Sequence, residues 1–343
     1  MNFCTLFDSN YLDRGIALCN SLNNVLDDFT LYIYAFDTLS YDVLSEMQLN
    51  NVIIIHENDI LDDELQDVKS KRSRTEYCWT CTPVIIQYSL DHFNLDHCIY
   101  IDADMYFYSS PKVLFDEIIG GNGDVSIISH HFPSNIVRKT NRKQHGEYCV
   151  EFNTFFSNSN GRKILNWWKE KCFESCSMTL NDKSFGDQMY LNDWTKRFVH
   201  VYELKNKGAG VAPWNVSDYK LLDRVNNAVE LLYRGKEKCQ LIFFHFQGLK
   251  FSDDGYANIN VYNEIGRQDK QLVDFLYDNY IEELLKNRKI LEEKYSLKIK
   301  NPENRNQGTK WKYTGLLDLF VYCILYINNL CRERKNYKKI TGI

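Results

Sequence analysis

The chain has few of the features that mark specialised protein classes. Five prolines and 16 glycines among 343 residues exclude collagen-like and proline-rich architectures. A net charge of only -5, from 41 basic and 46 acidic side chains, argues against nucleic acid as the main partner. The N-terminal residues show no basic stretch followed by an apolar run, so no signal peptide is predicted and we expect a cytoplasmic protein.

Cysteine is not scarce, but its arrangement argues against a disulfide framework. The 11 cysteines are spread from Cys4 to Cys331 through segments with strand and helix patterns, which favours reduced thiols. Cys78 and Cys81 form a CxxC pair, yet no second pair stands at a distance that would complete a zinc site. We therefore expect these two side chains to pack in the core.

Short apolar runs alternate with helical patterns in the first hundred residues. Runs this continuous are typical of strands that are buried on both faces. Their alternation with helices predicts a parallel, doubly wound sheet. The predicted strands are 3–7, 31–36, 52–55 and 98–101, and Pro83 is placed in the first turn of the helix before the fourth strand.

Beyond Pro111 the pattern is less regular. Further strands are predicted at 125–128, 148–156, 199–202 and 241–244, with a helix at 162–176 and mostly helical sequence at 269–299. The segment 316–330 is strongly apolar and is followed by basic residues, but charged and polar neighbours make it too short to span a membrane. A helix lying at an anionic lipid surface and a helix packed on the main domain both fit this composition.

Two carboxylates form the sharpest chemical signal in the sequence. Asp102 and Asp104 stand one residue apart at the end of a buried strand, where α/β proteins bind ligands. In extended chain they point the same way, so both can reach a hard divalent cation. Such a cation can bridge the two phosphates of a nucleotide. A polar turn without a ligand is the alternative for this short pattern.

Two other strand ends carry polar groups. Asp8 and Asn10 follow the first strand and can hydrogen-bond a base, on which Tyr11 can stack. His245 follows a later strand, and its imidazole can supply a third metal ligand. A tyrosine packed at a helix start and a structural histidine are the alternatives.

These segments resemble motifs of the metal-dependent GT-A glycosyltransferases, and especially of glycosyltransferase family 8, with its glycogenin-like and lipopolysaccharide galactosyltransferase members. The resemblance covers about residues 3 to 250, with five motifs in the same order. They are Asp8-Ser9-Asn10-Tyr11, Tyr100-Ile101-Asp102-Ala103-Asp104, Phe152-Asn153-Thr154, Gly186-Asp187-Gln188-Met189-Tyr190-Leu191-Asn192 and His245-Phe246-Gln247-Gly248.

The resemblance implies an α/β fold of the GT-A type, a Rossmann-like mixed sheet flanked by helices, with a C-terminal helical extension. It implies transfer of a sugar, with retention, from a UDP-sugar to a glycan or lipid-linked saccharide. Mn²⁺ or Mg²⁺ would be held by Asp102, Asp104 and His245, with Asp187 and Gln188 at the reactive face of the sugar. The implied donor contacts are Asp8, Asn10, Tyr11, Asn153, Gly248 and Lys250. Asp187 can equally be a helix cap.

The sequence departs from the family pattern in two places. Only Leu249 separates Gly248 from Lys250, where family members commonly have a pair of residues. The pair Asp102-x-Asp104 is the DxD motif, and the strand that ends in it is called the DxD strand. The family's usual Tyr-x-Arg before this strand is absent, and either Arg72 or Arg74 can replace its arginine.

The predicted organisation is a GT-A catalytic domain at 1–265, a helical extension at 266–300, a linker at 301–310 and an apolar and basic C-terminal helix at 311–343. Peripheral membrane contact would involve the last of these. Two other functions stay open: a sugar nucleotidyltransferase, although its glycine-rich basic loop is absent, and an inactive GT-A homologue that binds a nucleotide or a glycan.

Overall fold

The structure is a computed structural model that describes residues 1–133, 141–178, 186–225, 228–253, 255–261, 268–301 and 337–340. Its strands are β1 (Asn2–Phe7), β2 (Thr30–Ala35), β3 (Val52–His56), β4 (His97–Ile101), β5 (Met105–Phe107), β6 (Val125–Ser129), β7 (Tyr148–Cys149), β8 (Phe152–Phe156), β9 (Val201–Glu203), β10 (Tyr219–Val225), β11 (Ala228–Tyr233), β12 (Glu237–Gln240), β13 (Phe243–His245), β14 (Lys250–Ser252), β15 (Tyr256–Asn258) and β16 (Tyr337–Lys339). The helices that position the site are α1 (Leu12–Val25), α2 (Thr38–Met47), α3 (Asp63–Lys71), α4 (Arg74–His92), α5 (Lys112–Gly120), α6 (Ser159–Glu174), α7 (Trp194–Arg197) and α8 (Lys270–Tyr295).

A mixed sheet forms the centre of the molecule. Its strand order is β3-β2-β1-β4-β8-β6-β7, and β9 pairs with β6. The first four strands in this order are parallel, whereas β8 runs antiparallel to β4 and to β6. The carboxyl ends of β1 and β4 and the amino end of β8 therefore meet at one edge of the sheet.

Helices cover both faces of the sheet. Successive side chains of β1 point to opposite faces, and because most of them are apolar, each face needs a covering layer. Phe3 and Phe7 pack with the apolar sides of α1 and α5. Cys4 and Leu6 point the other way and pack with α4 and α6. The CxxC cysteines belong to this second layer as expected, with Cys81 buried in it and Cys78 partly buried against it, and no disulfide joins the cysteines within the described ranges.

Helix α4 begins earlier than predicted from the position of Pro83. Ser73 and Glu76 form a capping box in which each side chain accepts a hydrogen bond from the other residue's backbone N–H. The helix starts at this box and runs through Pro83, so the assignment of Pro83 to the first turn was wrong. The box was readable in the sequence as Ser-Arg-Thr-Glu.

The strand predicted at 148–156 is two strands. β7 pairs with β6, β8 pairs with β4, and Val150 and Glu151 lie between them. The break places Glu151 beside the end of β4, because Phe152 is paired with Ile101. The two smaller sheets β10-β11-β12 and β14-β15-β16 were not predicted as such.

Helix α8 packs on α1 and on the smaller strands. Leu276 and Tyr277 of α8 share a third apolar layer with Ala17 of α1 and with Phe244 and Phe246. The helix lies within the predicted helical segment 266–300, while the division of the chain into four parts stays a prediction.

The predicted apolar helix at 316–330 lies outside the described residues. In the basic segment beyond it, Tyr337–Lys339 form β16, which pairs with β15. Among the helices that the structure describes, none combines the length and the apolarity needed to cross a membrane.

Candidate metal and nucleotide site

The three predicted metal ligands lie together. Nε2 of His245 is 3.0 Å from Oδ1 of Asp104 and 3.5 Å from Oδ2 of Asp102. One ligand atom from each of the three side chains can be chosen so that all lie within 4.8 Å of one another. His245 and Asp104 are buried, whereas the side chain of Asp102 is 26% exposed.

Strand pairing explains how a residue 141 positions beyond Asp104 reaches it. The chain turns after Asp102, and β5 pairs antiparallel with β13 in a register that sets Met105 opposite His245. The backbone N–H of Phe246 also donates to the carbonyl of Asp104 at 2.9 Å. This short antiparallel pairing therefore brings His245 next to the carboxylates, although it lies far from them along the chain.

The site carries more negative than positive charge. Loss of hydration raises the pKa of Asp102 to about 7, and the neighbouring carboxylates of Asp104 and Glu151 add to the rise against the opposing effect of His245. Burial would also raise the pKa of Asp104, but His245 and Arg14 outweigh it and the pKa is lowered. Burial would lower the pKa of His245, yet Asp104 and its other partners raise it well above its usual value.

This arrangement suits a divalent cation. Two carboxylates and an imidazole nitrogen are hard and borderline donors of the kind that Mg²⁺ and Mn²⁺ accept. A cation would offset the negative charge of Asp104 and Glu151, which adds to the effect of burial on the pKa of Asp102. The residues present therefore fit the metal that the family resemblance implies.

The predicted base-binding turn lies at the neighbouring strand end. Asp8 caps the 3-10 helix Ser9–Tyr11, and its Oδ1 accepts from the backbone N–H of Asn10 at 3.1 Å. The ring of Tyr11 is 42% exposed, with the guanidinium of Arg14 4.7 Å from its centroid. Loss of hydration raises the pKa of Tyr11 to about 12, and the carboxylates of Asp104 and Asp102 add to the rise.

The structure distinguishes the two candidate arginines. Arg74 Nε lies 3.3 Å from Oδ2 of Asp8, so its side chain borders the turn. Arg72 is directed elsewhere and donates to the hydroxyl of Thr80 and the carbonyl of Phe173. Arg74 is therefore the one placed where a nucleotide contact is expected.

Asp187 lies near Tyr100 of β4. It is 4% exposed and occupies the N-cap position of the 3-10 helix Gln188–Asp193 without a side-chain capping bond. Burial raises its pKa to about 7, although the hydroxyl of Thr82 hydrogen-bonds the carboxylate. Thr82 also hydrogen-bonds Tyr100, whose hydroxyl donates to Oδ1 of Asp102 at 2.7 Å. A polar chain thus connects Asp187 with the predicted metal site.

The other predicted site residues are less open to a ligand. Gln188 donates from Nε2 to the carbonyl of His145 at 2.6 Å. Asn153 is fully buried opposite Tyr100, and its amide donates to the carbonyl of Ser126. Gly248 has φ +75°, and a Cβ there would lie 2.3 Å from Asn260 Nδ2, so glycine is favoured in this turn after His245. Lys250 is exposed on β14 beyond it.

Three residues near the site were not singled out from the sequence. Glu151 accepts from Nδ1 of His245, with Oε2 at 2.7 Å, and Tyr100 hydrogen-bonds Asp102. Arg14 is buried, and its Nη2 donates to the carbonyl of Leu249 at 2.9 Å in the turn after the histidine. Glu151 had a signal: a carboxylate within the apolar stretch 148–156 is expected to have a buried partner.

The chain is similar to two proteins of Bacillus subtilis (strain 168). It is 26% identical over 300 residues to the uncharacterized protein YfnF, covering 86% of this chain and 96% of that protein. It is also 26% identical over 287 residues to the uncharacterized protein YfnD, covering 82% of this chain and 87% of that protein. No family model matches the chain.

Its structure is similar to that of galactosyltransferase LgtC in complex with donor and acceptor sugar analogues. The TM-score is 0.52 at 12% sequence identity, and the match covers 83% of this chain and 96% of that one. The predicted α/β fold of the GT-A type, with a mixed sheet flanked by helices, is confirmed. The chain has the fold of the GT-A glycosyltransferases.

Proposed function

We propose that the protein is a metal-dependent glycosyltransferase that moves a sugar from a UDP-sugar to a glycan or lipid-linked saccharide, with retention. The observation that carries the proposal is the convergence of Asp102, Asp104 and His245 beside the exposed ring of Tyr11. The fold supports the same class, because GT-A glycosyltransferases share it.

The proposal gives each group of residues a role. Asp102, Asp104 and His245 hold Mn²⁺ or Mg²⁺. The bound cation supplies positive charge to the diphosphate as it leaves. Tyr11 stacks on the uracil ring, while Asp8 and Asn10 hydrogen-bond its edge. Arg74 holds the carboxylate of Asp8 in place.

The sugar of the donor is assigned to a second group of polar residues. A glycosyl transition state carries positive charge at the anomeric carbon, which anionic and polar groups stabilise. We assign this role to Asp187 and Gln188, with Asn153 supporting the donor sugar and Gly248 and Lys250 next to the phosphates. Because Asn153 is fully buried, its contact with the sugar requires a shift of the covering residues.

A thermal-shift screen tests the proposal with the full chain. Ligands that bind the folded state raise the melting temperature, so UDP-sugars should do so when Mn²⁺ is present and much less when EDTA replaces it. Chromatography of the same mixtures should show metal-dependent release of UDP. Stabilisation without UDP release, with or without candidate acceptors, would point to an inactive homologue, and no stabilisation would contradict the proposal.

Membrane contact through 311–343 is a separate part of the proposal. Lys338 forms ion pairs with Asp274 at 2.9 Å and Asp278 at 2.7 Å on α8, so one basic residue of this segment binds the protein itself. Flotation of the full chain with anionic and with neutral vesicles tests whether the other residues of this segment bind a membrane surface. Binding to anionic vesicles alone is expected, and no binding to either would remove the membrane role.

A further inference from the structure

A buried carboxylate lies on the far side of the histidine in the metal site. Glu151 is 0% exposed, and its Oε2 is 2.7 Å from Nδ1 of His245. The opposite nitrogen, Nε2, faces Asp104 at 3.0 Å. An ionised carboxylate can only accept a hydrogen bond, so this contact places a proton on Nδ1. Nε2 faces the carboxylate of Asp104 in the same way, so a cation held by Asp102 and Asp104 would displace the proton from Nε2 and use its lone pair, while Nδ1 keeps its own proton.

The backbone of Glu151 holds a second member of the site. Its carbonyl accepts from the N–H of Asp102 at 3.3 Å, next to the strand pairing of Phe152 with Ile101. One residue therefore contacts two of the three expected ligands, Asp102 through its main chain and His245 through its side chain. Its position depends on the break between β7 and β8, which leaves Glu151 outside both strands.

We propose that Glu151 is a positioning residue that fixes the tautomer and the ring orientation of His245 and thereby directs Nε2 at the cation. This inference rests on the proposed function, since it assumes that Asp102, Asp104 and His245 bind a divalent metal. Carboxylates that hold the second nitrogen of a metal-bound histidine typically strengthen metal binding by about 10- to 100-fold.

A metal ion bound on the Glu151 side of His245 would require the opposite protonation state of Nδ1. Cys149, Glu151 and Nδ1 of His245 also lie close enough together to hold a metal ion. A metal at Nδ1 would displace the proton from that nitrogen, whereas the positioning role requires Nδ1 to keep it. The protonation of Nδ1 in the metal-loaded protein therefore separates the two.

Binding of Mn²⁺ to the full chain, followed by electron paramagnetic resonance, measures the effect of Glu151 without relying on turnover. Glu151→Gln keeps the shape of the side chain and removes its charge, and we expect Kd for Mn²⁺ to rise about 10-fold or more. The matched control is Glu147→Gln, a buried glutamate that pairs with Arg142 instead of His245. Its Kd should stay within about twofold of that of the wild type.

The outcomes distinguish this inference from the proposed function. If the wild-type chain binds no Mn²⁺, both fail. If it binds Mn²⁺ and Glu151→Gln binds equally well, the positioning role alone is wrong.

A second measurement uses the wild-type protein, so it tests the inference even if Glu151→Gln does not fold. In ¹⁵N-histidine-labelled wild-type protein with Mg²⁺ and UDP, His245 should show a slowly exchanging, downfield N–H proton on Nδ1, assigned by its loss in His245→Ala. An Nδ1 without a proton would overturn the inference.

Discussion

Arg288 of α8 binds Asp13 of α1, with Nε and Oδ2 2.6 Å apart. Asp13 is fully buried and also accepts from Arg14 at 3.1 Å, while Arg14 reaches the carbonyl of Leu249. The same arginine of α8 stacks over Phe251, 4.2 Å from its ring centroid. Helix α8 is thus connected through these charged side chains to α1, which follows the base-binding turn, and to the chain that follows His245.

The first prediction concerns this network. Asp13→Ala leaves two arginines without their shared carboxylate, so the free energy of unfolding should fall by about 3–5 kcal/mol. Denaturant titration measures it. The exposed pair of Lys270 and Asp274 provides the control, because Lys270→Ala should leave the free energy of unfolding nearly unchanged. An equally small effect of Asp13→Ala would show that the network contributes little.

The second prediction concerns the metal ligands. Asp102→Ala and Asp104→Ala should each reduce metal-dependent UDP release by at least about 100-fold, because the positive charge at the leaving diphosphate is lost. Both variants should keep the circular dichroism spectrum of the wild type. Asp116→Ala, which removes an exposed carboxylate paired with Lys112, should leave the rate unchanged. Full turnover in Asp102→Ala would show that the assignment is wrong.

The third prediction concerns the nucleotide base. Tyr11→Ala should weaken UDP binding about tenfold, within the 1–3 kcal/mol typical of stacking on an aromatic side chain, whereas Tyr11→Phe should bind nearly as well as the wild type. Calorimetric titration with UDP, GDP and CMP provides the measurement, with UDP expected to bind most tightly. Tyr41→Ala, at a ring that contacts His56 instead, is the control. Preference for GDP, or unchanged affinity in Tyr11→Ala, would refute the base assignment.

The fourth prediction concerns the pH dependence of stability. The pKa of Asp187 is raised from 3.8 to about 7 by burial, so between these values the folded state holds a proton that the unfolded state has released. The carboxyl therefore destabilises the fold progressively as pH rises from about 4 to about 7, and its cost is constant above that. Asn cannot ionise, so Asp187→Asn should gain about 1–3 kcal/mol of relative stability at pH 8 compared with pH 5.

Thermal unfolding of wild type and Asp187→Asn across this pH range provides the measurement. Asp193→Asn, at a carboxylate that is 46% exposed and paired with Arg197, should show no comparable trend. UDP release should nevertheless fall in Asp187→Asn, since a residue at the reactive face contributes to catalysis at a cost in stability. A stability difference that does not change with pH would show that ionisation of Asp187 does not destabilise the folded state.

Much of the site could be expected from local patterns. Asp102 and Asp104 follow a buried apolar run, and Asp8 and Asn10 follow another, because parallel strands buried on both faces are read directly as continuous hydrophobic segments. The edge at which these strands end was therefore predictable. The start of α4 was equally local, since Ser73 and Glu76 cap it, although Pro83 misled the assignment.

Other features were decided by tertiary structure. The register of β5 with β13 brings His245 to Asp104, and the break between β7 and β8 places Glu151 against the histidine. Likewise, Arg74 rather than Arg72 reaches Asp8, a choice that depends on how α4 packs over the sheet. The sequence by itself determined which side chains stand at strand ends, because that depends on neighbours along the chain. Which of them meet depended on strand pairing and helix packing between distant segments, which no local pattern encodes.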